Sequence, residues 1–79
     1  MITNLQKRRL DKNFTQKQLA EKTGLALSTI RAYEQGQKII ENASLTNILK
    51  LCEILKCDID RLIDNPEVIN TYYRIIQYE

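Results

Sequence analysis

Apolar residues recur at helical spacing along almost the whole chain, and no stretch keeps the two-residue alternation of a strand. The strings Thr3 to Gln6 ("TNLQ") and Thr15 to Gln18 ("TQKQ") each pair a hydroxyl with a Gln three residues on, as a capping box does. Phe14 before the second cap and Leu19 after it form the pattern of a hydrophobic staple. These signals predict a first helix over 3–12 and a second over 15–23, the latter stopped by Gly24. Only Leu25 and Ala26 then link it to a third helix over 27–35, ended by Gly36, so the two must cross steeply. After a loop, "QKIIENA", with two exposed-looking isoleucines, Ser44 is the expected cap of a fourth helix. Its stripe is Leu45, Ile48, Leu49, Cys52 and Leu55. Asp58 is expected to cap a short fifth helix carrying Ile59, Leu62 and Ile63. A further helix over 65–78 starts at Asn65, with Pro66 at its first position and Glu67 in its first turn. The expected fold is all-α, and no internal repeat or low-complexity segment interrupts it.

The chain has 79 residues, enough for one small domain that buries only about 60% of its unfolded surface. No apolar run reaches the roughly 20 residues of a membrane span, and "MITNLQKRR" lacks the apolar block of a signal peptide, so a cytoplasmic protein is expected. Histidine is absent and cysteine occurs twice, at Cys52 and Cys57. Two ligands fall short of the four a structural zinc takes, and both cysteines read as small apolar residues in a reduced cytosol; no metal or cofactor is implied. Net charge is +2. Residues 1–38, however, carry eight basic residues against Asp11, Glu21 and Glu34, a net +5, while residues 39–79 carry four basic against seven acidic, a net −3. Such a basic half suits a polyanionic partner.

The string "GLALSTIRAYEQG", Gly24 to Gly36, holds the chemistry. Ile30 turns inward with Leu25 and part of Tyr33. Ala26, Leu27, Ser28, Thr29, Arg31 and Ala32 are left on the outer side of the helix start. A helix entering the major groove needs such a surface, because its N-terminal residues meet base edges and phosphates. Ser28 and Thr29 can bond to either, and Arg31 can reach guanine or the backbone.

"FTQKQLAEKTGLALSTIRAYEQG" followed by "SLTNILKLCEILKCDIDRLI" resembles the Cro/C1-type (XRE) helix-turn-helix family over about residues 3–64, through Gln16, Leu19-Ala20, Gly24, Ile30, Glu34 and Gly36. The resemblance implies a compact five-helix bundle of the lambda-repressor-like type over 1–64, here followed by a sixth helix in a 65–79 extension. It implies a homodimer that binds double-stranded DNA and acts as a repressor. It gives Gln16 a phosphate contact and a role in bracing the third helix, and it makes Arg9 and Glu34 an ion pair between the first and third helices. Lys17 and Lys38 are placed for phosphates. Two departures stand out: Ala26 occupies the position of a capping Ser, Thr or Asp, and Leu27 that of a base-reading Gln. Leu27 either packs on a thymine methyl or leans on Ile30 and the core edge.

The extension lies outside the resemblance. Val68, Ile69, Tyr72, Tyr73, Ile75 and Ile76 crowd one face, which either folds back on the first and fifth helices or pairs between chains; Val68, Ile69, Tyr72, Tyr73 and Ile76 are the expected dimer contacts. The competing function is a protein-interaction module, such as an antitoxin or a bridging factor, on the same fold. An enzyme is not expected: no phosphate-cradling glycine loop or nucleophile–base arrangement is present, and Asp58 and Asp60 read as a cap and a first-turn acid.

Overall fold

Side-chain caps decide where the helices begin. Thr3 Oγ1 accepts from the Gln6 N–H, Ser44 Oγ from the Asn47 N–H and Asn65 Oδ1 from the Glu67 N–H. At Thr15 the box closes both ways: the Gln18 N–H donates to Thr15 Oγ1 at 3.0 Å, and the Thr15 N–H to Gln18 Oε1 at 2.8 Å. The computed structural model describes residues 2–77. Its five α-helices are α1 (Asn4–Asp11), α2 (Gln16–Thr23), α3 (Leu27–Glu34), α4 (Leu45–Leu55) and α5 (Pro66–Ile75), with 3-10 turns at Ile40–Asn42 and Ile59–Arg61. No strand occurs among the described residues. Tyr78, at the end of the expected last helix, lies outside them.

Left-handed residues end the helices. Gly24, with φ +77°, closes α2, and its N–H returns to the Ala20 carbonyl. Gly36, with φ +78°, follows α3; its N–H bonds the Tyr33 carbonyl and the next N–H, of Gln37, reaches back to Ala32. That pair of bonds is the Schellman end, which satisfies the last carbonyls of a helix. Asn13 (φ 59°) and Lys56 (φ 52°) do the same work after α1 and α4 without the freedom of glycine.

The core is one cluster: Leu5 from α1, Leu19 and Ala20 from α2, Ile30 and Tyr33 from α3, Leu51 and Leu55 from α4, with Ile40 from the first 3-10 turn and Leu62 directly after the second. Leu5, Leu19, Ile30, Leu51, Leu55 and Leu62 are completely enclosed. Each such side chain contributes about 1.5–3 kcal/mol relative to an exposed one. Ala20 is buried where α2 meets α3, and its small side chain suits the close approach of two helices joined by three residues.

Four expectations fail here. The fourth helix is turned: Leu45 and Leu49 are 66% and 49% exposed, and the buried stripe is Ile48, Leu51, Cys52 and Leu55. Of that stripe Leu51 and Leu55 are fully buried and Ile48 and Cys52 half-buried; both stripes have helical spacing, and packing against α2 selects the one through Leu51. The expected one- to two-turn fifth helix is present as the single 3-10 turn Ile59–Arg61, so that the expected sixth helix is α5, but the Asp58 side chain makes no cap bond. Ile40 is buried rather than exposed, because its turn folds inward, while Ile39 stays out. Ala32, placed on the outer side of the third helix, is buried instead, since α3 turns that flank toward the body of the protein.

Four hydrogen bonds hold the root of α5. Asn4 Nδ2 donates to the Ile63 carbonyl, and the Asn4 N–H donates to Asp64 Oδ1. Glu41 Oε1 accepts from the N–H groups of both Asp64 and Asn65. Further along, the Tyr73 hydroxyl donates to Asp60 Oδ2 at 2.7 Å, which raises the tyrosine above its ordinary pKa. Even so, no residue of α5 is buried.

Lys56 supplies a test of the helix-end reading. Lys56→Gly should raise stability by about 1 kcal/mol by removing the Cβ penalty of the left-handed region. Urea unfolding would show it as a higher midpoint at unchanged slope; a lower midpoint would mean that the lysine is not strained there.

Candidate nucleic-acid interface

A buried ion pair sets the attitude of α3. Arg9 and Glu34, twenty-five positions apart, are 8% and 7% exposed. Arg9 Nε donates to Glu34 Oε2 at 2.6 Å and Nη2 to Oε1 at 2.9 Å, a two-pronged contact that fixes direction as well as distance. Arg9 Nη1 is taken by the Phe14 carbonyl at 2.8 Å, in the loop between α1 and α2. Gln16 Nε2, from the first turn of α2, adds a bond to Glu34 Oε1 at 3.1 Å. One carboxylate at the end of α3 thus gathers donors from α1 and α2. The carboxylate also raises the pKa of the already basic guanidinium, so Arg9 keeps its charge although buried.

The start of α3 is held differently. Thr23 Oγ1 donates to the Leu19 carbonyl and accepts from the Leu25 N–H, bracing the turn. Sequence reading passed over Thr23, because a hydroxyl in the last turn of a helix has no distinguishing pattern. Ala26 occupies the cap position with no side-chain bond to the N–H groups that follow it. Beyond it Ser28 and Arg31 are exposed and Thr29 is half-exposed. Leu27 is half-buried and packs against the core cluster, and Ile30 behind it is fully enclosed. The inner side of α3 is therefore committed to the core and the ion pair, and Ala26, Ser28 and Arg31 on its outer side are left to solvent.

Among the remaining candidates, Lys17 is exposed at the start of α2 and Gln16 is half-buried beside Glu34. Lys38 is exposed, with its N–H tied to the Ala32 carbonyl at 3.1 Å, which anchors it to the end of α3. Lys22 lies over the Phe14 ring at 5.1 Å, which holds a further basic side chain against α2's entry loop. Ala32 is withdrawn from the exposed set by its burial. On α5, Tyr73 is engaged with Asp60 of its own chain, Ile69 and Tyr72 are half-buried, and Val68, Ile75 and Ile76 remain exposed.

Two helices joined by a three-residue turn, the second anchored behind and open at its start, are the architecture of a major-groove reader. A family model described as helix-turn-helix matches residues 5–62. The chain is a Cro/C1-type helix-turn-helix protein. As such it is a DNA-binding regulator, with α2 and α3 as the helix-turn-helix unit. Searches of curated proteins and of solved structures each returned no significant match. In this helix-turn-helix protein no group of three or more His, Cys, Asp or Glu suited to a metal occurs among the described residues, and no helix among them is long and apolar enough to cross a membrane.

The ion pair is open to a double-mutant cycle. Arg9→Met or Glu34→Leu alone leaves a buried charge unpaired and should cost about 3–5 kcal/mol, enough to threaten so small a domain. The double variant should be much milder. Additive losses in urea unfolding would show that the two residues are not coupled.

Proposed function

We propose that this protein is a transcriptional repressor that reads DNA in the cytoplasm as a homodimer, with the first turn of α3 in the major groove. The observation that carries the reading is the division of α3. Ile30, Tyr33 and Glu34 are buried behind it, while Ala26, Ser28 and Arg31 stand exposed at its start. In this reading Arg31 and Thr29 contact base edges and Ser28 a base or phosphate. The burial of Leu27 against the core favours its role as a wedge that sets the depth of the helix, so its contribution to sequence choice is small. Lys17, Lys38 and the remaining N–H of Gln16 neutralise or bond phosphates. The N–H groups at the start of α3, left without a cap at Ala26, are further donors for a phosphate oxygen. Occupancy of an operator by the dimer would exclude other proteins from it.

The dimer is supported by the exposed apolar edge of α5. Val68 and Ile75 lie seven residues apart, two turns along one face, with Ile76 beside them. A ten-residue helix is marginal alone in water, and a second copy would cover that edge. Tyr73 acts within its own chain, holding α5 in place for the pairing. A two-fold dimer would set two recognition helices about 34 Å apart and read a near-palindromic site.

Three measurements test this reading. Binding to fragmented genomic DNA should fall steeply with salt, reflecting neutralised phosphates; no retention of DNA at low salt would favour the protein-interaction module instead. On a selected operator, Arg31→Ala should cost about 1–3 kcal/mol and relax specificity at one position, whereas Lys17→Ala should weaken all sequences alike. If both behave as the parent, α3 is not the reader. Truncation after Asn65 should give a folded monomer that binds a two-half-site operator weakly; a truncated chain that still dimerises would remove α5 from the interface.

A further inference from the structure

A cleft of about 530 Å³, lined by residues of α1, the end of α4 and the Ile59–Arg61 turn, contains both cysteines between four basic side chains, Arg8, Lys12, Lys56 and Arg61, and three acidic ones, Asp11, Glu53 and Asp58. None of the residues assigned to DNA lines it. We propose that Cys52 and Cys57 form a reversible dithiol–disulfide site that staples the C-terminal end of α4.

The main chain brings the two residues together. Lys56 turns left-handed, and the Cys57 N–H then reaches back to the Cys52 carbonyl at 3.1 Å. That six-residue bond marks a Schellman-type helix end, in which the side chains at these two positions meet; usually both are apolar. Here both are thiols. A 3.1 Å bond and its short covalent arms hold the two Cα atoms within about 7 Å of each other, against the roughly 4.4–6.8 Å that a disulfide spans. The thiols are close enough to alter each other's ionisation, and both are partly open to solvent.

Their surroundings order the reaction. Burial pushes both thiols up, Cys52 to about 11. Cys57 stays raised but is pulled part of the way back down by Cys52, Arg8 and Arg61, against Asp58, which makes it the first nucleophile of the two. Its thiolate attacks a low-molecular-weight disulfide, forming a mixed disulfide and expelling one thiolate. Cys52, deprotonated in turn, attacks the Cys57 sulfur, closing the protein disulfide and releasing the second thiol. Two protein thiols are oxidised, one external disulfide is reduced to two thiols, and a small dithiol runs the sequence backwards. The closed bond lies directly before the turn that carries Asp60, the acceptor for Tyr73.

The test uses the intact protein equilibrated with oxidised and reduced glutathione and analysed by mass after acid quenching. The expected product is a single chain lighter by two hydrogens, without bound glutathione and reversed by dithiothreitol. Its formation should speed up with rising pH, as the thiolate fraction grows. Ring closure should be at least tenfold more favourable in the native protein than in the same chain in urea. Cys52→Ala should stop at a glutathione adduct on Cys57. Wild-type protein that keeps glutathione, crosslinks between chains, or closes less favourably when native than in urea would overturn the site.

Discussion

The position of α3 depends on a single buried carboxylate. Glu34, in the last turn of α3, binds the Arg9 guanidinium from α1 through two oxygens and the Gln16 amide from α2 through one. Taking both charges out of water costs more than their attraction returns unless further hydrogen bonds support them, and the Phe14 carbonyl supplies a third partner for Arg9. Apolar side chains would hold the helices together with less expense of solvation. What the network adds is direction: a planar fork against a carboxylate allows one relative orientation, and α3 must be held at one angle if its first turn is to meet the groove.

The opposite end of α3 is built for exposure. Ala26 gives no cap, a choice that costs about 1 kcal/mol of helix stability relative to Ser or Asp. It leaves backbone donors at the helix start without a side-chain partner. Thr23 and Gly24 keep the preceding turn in place although the helix start itself is uncapped. Rigidity is thus supplied from behind, by the core and by Glu34, and the first turn stays available for an external partner.

The helix starts were legible because each of Thr3, Thr15, Ser44 and Asn65 is a short polar residue before an apolar repeat, and Gly24 and Gly36 mark left-handed turns only glycine adopts cheaply. The ends after α1 and α4 carried no such mark, since Asn13 and Lys56 stand where glycine would be favoured. The rotation of α4 was hidden by abundance: with Leu45, Ile48, Leu49, Leu51, Ile54 and Leu55 all apolar, two overlapping faces have helical spacing, and only tertiary packing separates them. Ala32 was misplaced for the related reason that an alanine on a helix flank fits either side of the boundary. In the site, Arg9, Gln16 and Glu34 stood out through family resemblance, whereas Thr23, the Phe14 carbonyl and the ties of Asn4 and Glu41 to the root of α5 involve backbone partners that no residue pattern announces.

If the start of α3 reads DNA while its inner face stays locked, operator binding should perturb one side of the helix-turn-helix unit alone. Backbone amide mapping by nuclear magnetic resonance, with an operator duplex titrated into the labelled protein, measures this residue by residue. The largest shifts should fall at Gln16, Lys17 and Ala26 to Arg31, with the Arg9 and Glu34 side-chain contact preserved in the complex. Shifts concentrated on α5 or around Cys52 and Cys57, with Ala26 to Arg31 unmoved, would contradict it.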